Sequence, residues 1–286
     1  TLFPYTTLFR SITSVNNKSV TEIVKDRLKT TPASNYPTQL RDLASLLLRS
    51  NDSLINIGYI HNGNSYSKTI KTYPTSVLNP YKKYQTTDTC FKWITKDIAY
   101  IHNGNLKREY LPKLFSEIRS AKGLIIDDRN YPMDFPIYEL SNYLLSKEVP
   151  FVKFSKGSVS EPGLFKFNVT MNAGKKNKDY FKGKVVIMVN EETQSSAEYH
   201  ALAYRTIANN VVIGSTTAGA DGNVSEIHLP GNISSYISGI GVYYPDGRET
   251  QRVGIVPDVE VKPTIEGIKS GRDEVLEKAI EIINGK

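Results

Sequence analysis

Three apolar runs limit what this chain can become. They lie in KGLIIDDR (122–129), YFKGKVVIMVN (180–190) and NNVVIGS (209–215). Each run is short, almost unbroken in aliphatic residues, and stops at charged or polar ones. A strand with one wet face alternates apolar and polar side chains, whereas an unbroken run of this length suits a strand covered on both faces. Helical patterning follows the first two runs, as FPIYELSNYLLS and SSAEYHALAYRTI. Buried strands alternating with helices predict an α/β core in which helices cover a parallel or mixed sheet. DIAYIHNG, VPFVKFS, ISGIGVYYP and VGIVPDVEV read as further strands, LPKLFSEIRSA as a helix, and GRDEVLEKAIEIIN as an amphipathic closing helix.

The region before Phe91 has a different rhythm. Residues 12–75 read as a small α+β unit. ITSVNNKSV is a strand running into Asn16-Asn17, residues that tolerate left-handed backbone. Val20, Ile23, Val24 and Leu28 mark one helix, and Leu40, Leu43, Leu46 and Leu47 a second. SLINIGYIHNGNSYSKTIKTY predicts a hairpin turning at Asn62-Gly63. Residues 76–90, with Pro80 and a Thr-rich stretch, read as a linker to a core domain over 91–286. The opening TLFPYTTLFRS (1–11) resembles a translated sequencing adapter and is set aside, with the natural protein expected to continue upstream.

Cys90 is the sole cysteine, which excludes an internal disulfide and any Cys-based zinc or iron–sulfur centre, and no cofactor is expected. The net charge of +7 comes from 36 basic and 29 acidic residues scattered among one another, so nucleic acid is not an expected partner. No apolar run approaches the roughly 20 residues of a membrane span.

Sites in open α/β sheets gather at the carboxyl ends of strands. Three such ends stand out. After KVVIMVN comes EETQSSAEY, which puts Ser195 or Ser196 at the start of a helix, beside free N–H groups and the positive end of the helix dipole. That setting suits a nucleophile whose substrate becomes an oxyanion, while local physics alone favours an ordinary N-cap at Thr193, Ser195 or Ser196 with Glu198 closing a capping box. After GLIID comes DRNYPMD, where Asp127 and Arg129 are placed to pair and an N–H after Pro132 faces the site. After NVVIG comes STTAGADG, a loop of small residues that a substrate backbone can approach closely. A Gly-x-Ser-x-Gly elbow and a phosphate-loop spacing are both missing.

In order and spacing, KGLIIDDRNYP, VNEETQSSAEY, VVIGSTTAG and GIVPDVEV resemble the motifs of the tail-specific, or C-terminal processing, serine peptidases and of the related tricorn core. The resemblance covers about residues 91–265, and residues 12–75 resemble the second half of a PDZ domain. It implies a crotonase/ClpP-like sheet-and-helix protease core, protein or peptide substrates, and export to the periplasm or cell envelope. Carried over by position, the nucleophile is Ser195 and one oxyanion donor is the Ser196 N–H. The second donor is the N–H of Met133, where the family has glycine. The lysine that activates the serine in processing peptidases is replaced by Ala220, and Lys184 belongs to the preceding strand. The tricorn-like branch uses an upstream histidine and a later carboxylate, and the latter falls on Gln251, with Glu249 nearby. His61, His102, His200 and His228 lie in no motif, so the general base is expected upstream and the fragment is expected to be weakly active or inactive. A non-catalytic peptide-binding protein that keeps the fold is the alternative, and an acyl-CoA enzyme of the crotonase type fits Ser195 and the PDZ-like unit poorly.

Overall fold

The computed structural model describes residues 11–78, 89–168 and 170–285. These fall into two compact units. The first holds the described residues before position 88 together with Pro263–Glu274, and the second holds those up to Lys262 and from Val275 onward. The expected core of 91–286 therefore cedes Pro263–Glu274 to the first unit. Most of the expected linker lies outside the described residues, as does nearly all of the opening stretch.

In the first unit β1 (Ser11–Val15) turns through Asn16 and Asn17, at φ 49° and 64°, into β2 (Lys18–Ser19). Ser19 caps α1 (Val20–Arg27): its Oγ accepts the Glu22 N–H while the Glu22 carboxylate accepts the Ser19 N–H. Asn35 caps α2 (Tyr36–Leu46) in the same manner through the Thr38 N–H. β3 (Leu54–His61) and β4 (Asn64–Lys71) pair around Asn62-Gly63, which takes the left-handed backbone such a turn needs. The sheet runs β2-β1-β3-β4, antiparallel throughout. Ile23, Leu43, Ile55 and Ile57 are buried.

The second unit is built on a six-stranded sheet. Its strands are β5 (Phe91–Thr95), β6 (Ile98–His102), β7 (Gly123–Asp127), β11 (Lys184–Val189), β12 (Asn210–Gly214) and β16 (Val259–Glu260). They are ordered β16-β12-β11-β7-β6-β5, parallel except for β5 at the edge. The three apolar runs are its centre: Ile187 lies opposite Ile126 on one side and Val212 on the other. Both faces are covered, which is why the runs do not alternate. Leu124, Ile126, Val185, Ile187 and Val189 face a core with α3 (Leu111–Glu117), α4 (Ile137–Leu144) and α5 (Ser196–Tyr204). Ile125, Val186, Met188 and Ile213 face Val275, Ala279 and Ile283 of α7 (Glu274–Asn284). Gly123 lets α7 lie close, since a Cβ there would stand 2.4 Å from Ile283.

A second sheet is centred on β8 (Val149–Gly157), which pairs with β9 (Phe165–Phe167), β10 (Met171–Ala173) and β15 (Ile240–Tyr243). β13 (Val224–Leu229) and β14 (Ile233–Ser238) form a hairpin exposed at every position. β5, β9, β10, β13 and all but the end of β14 are additions to the predicted set. Of VGIVPDVEV only Val259–Glu260 is strand, and the residues before it form a loop that serves the site instead. α6 (Ile265–Lys269), capped by Thr264, groups with the first unit.

Candidate active site

The parallel strands β7, β11 and β12 deliver their carboxyl ends side by side, and hydrogen bonds tie the three turns together. Thr193, fully buried after β11, is the joint. Its hydroxyl donates to the Asp128 carbonyl at 2.7 Å and accepts the Asn190 N–H at 3.0 Å, while its own carbonyl accepts the Ala218 N–H at 3.0 Å. Past Thr193 the chain reverses sharply into α5. Ser195, at the reversal, has φ 52° and ψ −116°, a conformation that costs a non-glycine residue about 1–3 kcal/mol. A strained serine between a buried strand and a helix is the geometry of a nucleophile elbow, reached here without its usual sequence pattern. The Ala197 N–H is spent on the Gln194 carbonyl, but none of the hydrogen bonds among the described residues uses the Ser196 N–H. It stands at the positive end of α5, suited to an oxyanion.

Glu198, one turn into α5, is 1% exposed. Its Oε2 accepts the N–H groups of Ser195 at 3.1 Å and Ala220 at 2.9 Å. Its Oε1 accepts the Gly219 N–H at 2.7 Å and the Thr217 hydroxyl at 2.5 Å. Burial pushes the Glu198 pKa up, these bonds pull it down, and the net position is above the ordinary glutamate value. Thr217 Oγ1 in turn accepts the Ile255 N–H at 2.7 Å, which joins the GIVPD segment to the turn that carries Ser195.

After β7, Asp127 and Arg129 make the expected pair, bidentate at 3.0 and 2.8 Å, and Tyr100 adds a hydroxyl at 2.8 Å. Burial raises the Asp127 pKa, but Arg129 and these bonds outweigh it and hold it below the usual value. Asp128 is fully buried, and desolvation drives its pKa far upward despite a bond from Asn103. The expectation for Met133 is corrected. Its side chain is 82% exposed and its N–H donates to the Gly104 carbonyl at 3.1 Å, so that N–H is already occupied and cannot receive an oxyanion as the loop stands. The loop closes on Gly104, a contact no local motif announces.

Among the described residues Gln251 holds no histidine. Its Nε2 donates to the carbonyls of Asp221 at 2.7 Å and Ile240 at 3.0 Å, and its Oε1 accepts the Val242 N–H at 3.3 Å. It pins the small-residue loop to β15. Asp221, folded under this pin, is 8% exposed and has one carboxylate oxygen without a partner among the described residues. Burial and the neighbouring Glu198 push its pKa up to about 7, opposed only by the Gly222 N–H.

No side chain among the described residues hydrogen-bonds Ser195 Oγ. His200 is buried, its Nδ1 lies 2.6 Å from the Ser196 carbonyl, and desolvation lowers its pKa to about 4, so it is neutral near pH 7. His228 is on the exposed hairpin beside Ser234, and His61 belongs to the first unit. Lys184, at the opening residue of β11, faces Asn209 at 3.3 Å. An aromatic wall stands one turn from Ser195: Tyr199 stacks on Phe135 at 5.6 Å and shares a 3.0 Å hydroxyl contact with Tyr138. Two clefts of about 510 and 500 Å³ lie elsewhere and do not include Ser195 in their linings.

The sequence model of Peptidase family S41 matches residues 97–261. Among solved structures, one assigned as a peptidase from Parabacteroides merdae is similar with a TM-score of 0.61 and 20% identity, over 91% of this chain and 87% of that one. Mature CPAF in complex with lactacystin is similar with a TM-score of 0.73 and 12% identity, over 97% of this chain and 78% of that one. No curated protein sequence matches the chain.

Proposed function

The chain belongs to peptidase family S41 and is a serine-type peptidase by family, and from that premise we propose that it cleaves polypeptides through an acyl-enzyme on Ser195. The observation that carries this reading is the strained Ser195 backbone beside an uncommitted Ser196 N–H. Ser195 Oγ attacks the scissile carbonyl carbon and loses its proton to a base. The Ser196 N–H holds the oxyanion. The base returns the proton to the leaving amine, and water then releases the acyl group. The aromatic wall of Phe135, Tyr138 and Tyr199 gives an apolar side chain next to the cleaved bond a surface to lie on.

The base is proposed to come from outside the described residues. Ala220 stands where the resemblance puts a lysine, and His200 is neutral and held on the Ser196 carbonyl. On that reading residues 1–286 alone turn over slowly, with helix-end stabilisation remaining. The first unit, with its strand–helix–helix–hairpin order, is read as part of a PDZ-like peptide-recognition module, and the chain as an exported protein of the C-terminal processing type. The same Ala220 favours a second reading, a peptide-binding protein that keeps the fold without turnover.

The test is a fluorophosphonate label, with turnover of an unstructured protein measured beside it. Labelling of the wild type that disappears in Ser195→Ala supports the nucleophile, whereas labelling that survives the substitution refutes it. Peptide binding without label or turnover selects the second reading.

A further inference from the structure

Glu198 does more than close a helix turn. We infer that Glu198 is a positioning residue that acts as a buried anion, holding Ser195 in its strained backbone conformation by binding the nucleophile turn and the Thr217–Ala220 loop at once. The inference deepens the proposed peptidase reading and rests on Ser195 being the nucleophile.

Three of the four groups that point at this carboxylate are main-chain N–H groups, from Ser195, Gly219 and Ala220. They can only donate. One of them uses Oε1 and two use Oε2, so neither oxygen can become an amide NH₂ without setting N–H against N–H. The requirement is therefore for an anion and not merely for a side chain of this size. A simple capping box needs only the Ser195 N–H; the other partners lie 19, 21 and 22 residues downstream and have no part in starting α5. Positive φ at a serine persists only where the surroundings over-determine it, and the bond from Ser195 N to Glu198 acts on the strained residue itself. The other carboxyl that feels Glu198 is Asp221, in the same loop.

The experiment compares wild type with E198Q, the isosteric neutral variant, in the full chain. The readouts are the rate of fluorophosphonate labelling across pH, thermal unfolding, and amide hydrogen exchange. In a folded E198Q, labelling slows on the order of a hundredfold, the penalty for a nucleophile displaced by about 1 Å. The wild-type rate falls on acidification with an apparent pKa above the usual glutamate range, and E198Q lacks that limb; Asp221→Asn in both backgrounds removes the contribution of Asp221. Folded E198Q that labels at the wild-type rate overturns the inference. Where E198Q does not fold, exchange in the wild type decides. Ser195, Gly219 and Ala220 amides that exchange as slowly as the central β11 amides support the clamp, and fast exchange at these three overturns it. Slow exchange in a protein that never labels retains the clamp and counts against the nucleophile reading instead.

Discussion

The hydroxyl of Thr193 donates to the main-chain carbonyl of Asp128 across 65 residues of sequence, and through that bond the end of β7 and the turn before Ser195 become one piece. The Thr193 side chain is fully buried and both of its hydrogen-bonding directions are used. Thr193→Val keeps the shape and strands the Asp128 carbonyl and the Asn190 N–H. The expected cost is about 2–3 kcal/mol of stability. Labelling of Ser195 should slow with it. An unchanged denaturation midpoint would show that the joint carries no weight.

On the proposed reading Ser196 contributes its N–H, not its hydroxyl. Ser196→Ala should therefore label and turn over within about threefold of wild type, while Ser195→Ala does neither. If both substitutions abolish labelling, the division of roles between the two serines is wrong.

Ile187 sits at the middle of β11, with no exposure, between Ile126 and Val212. Aspartate at this position places an unpaired charge inside the sheet. The expected penalty is about 4 kcal/mol or more, enough to unfold a marginal domain. Circular dichroism melting reads it directly, and Ile187→Asp with the wild-type transition would contradict the burial.

Asp221 makes stability depend on pH. Its folded pKa of about 7 lies above the ordinary aspartate value of 3.8, so between these values the native state holds a proton that the unfolded chain has released. Stability therefore falls as pH rises through that window, and the penalty, about 4 kcal/mol as an order of magnitude, is complete above it. His200 pulls the opposite way, because a folded pKa of about 4 makes it lose stability on acidification. Both proteins in the comparison keep His200, so the difference between wild type and Asp221→Asn isolates the carboxyl. The variant should be the more stable at mildly alkaline pH, with the gap closing toward pH 4. A constant gap across pH would mean that Asp221 ionises normally.

What the sequence disclosed follows from how local each feature is. The strands around Ile126, Ile187 and Val212 are legible because burial on two faces leaves an unbroken apolar run. Asn16-Asn17 and Asn62-Gly63 are legible because positive φ selects those residues. The placement of Ser195 between strand and helix is legible in the same way. The engagement of the Met133 N–H by Gly104 is set by how two distant loops meet, and a pattern of nearest neighbours carries no trace of it. Glu198 illustrates the limit most sharply. Its spacing from Ser195 reads as a capping box, while most of its bonds run to a loop that only folding brings near. The β13–β14 hairpin is not legible in the sequence, because its side chains are exposed on both faces and no core imprints a pattern on them.

The relay from Ile255 through Thr217 and Glu198 to Ser195 also bears on the order in which the site assembles. Contacts that span this much chain form late, because loop closure must be completed before they reward it. On the ribosome, Ser195 emerges well before Ile255, so a nascent chain carries the hydroxyl without the brace that aims it. On the proposed reading, Ser195 is aimed only when the loop before β16 docks.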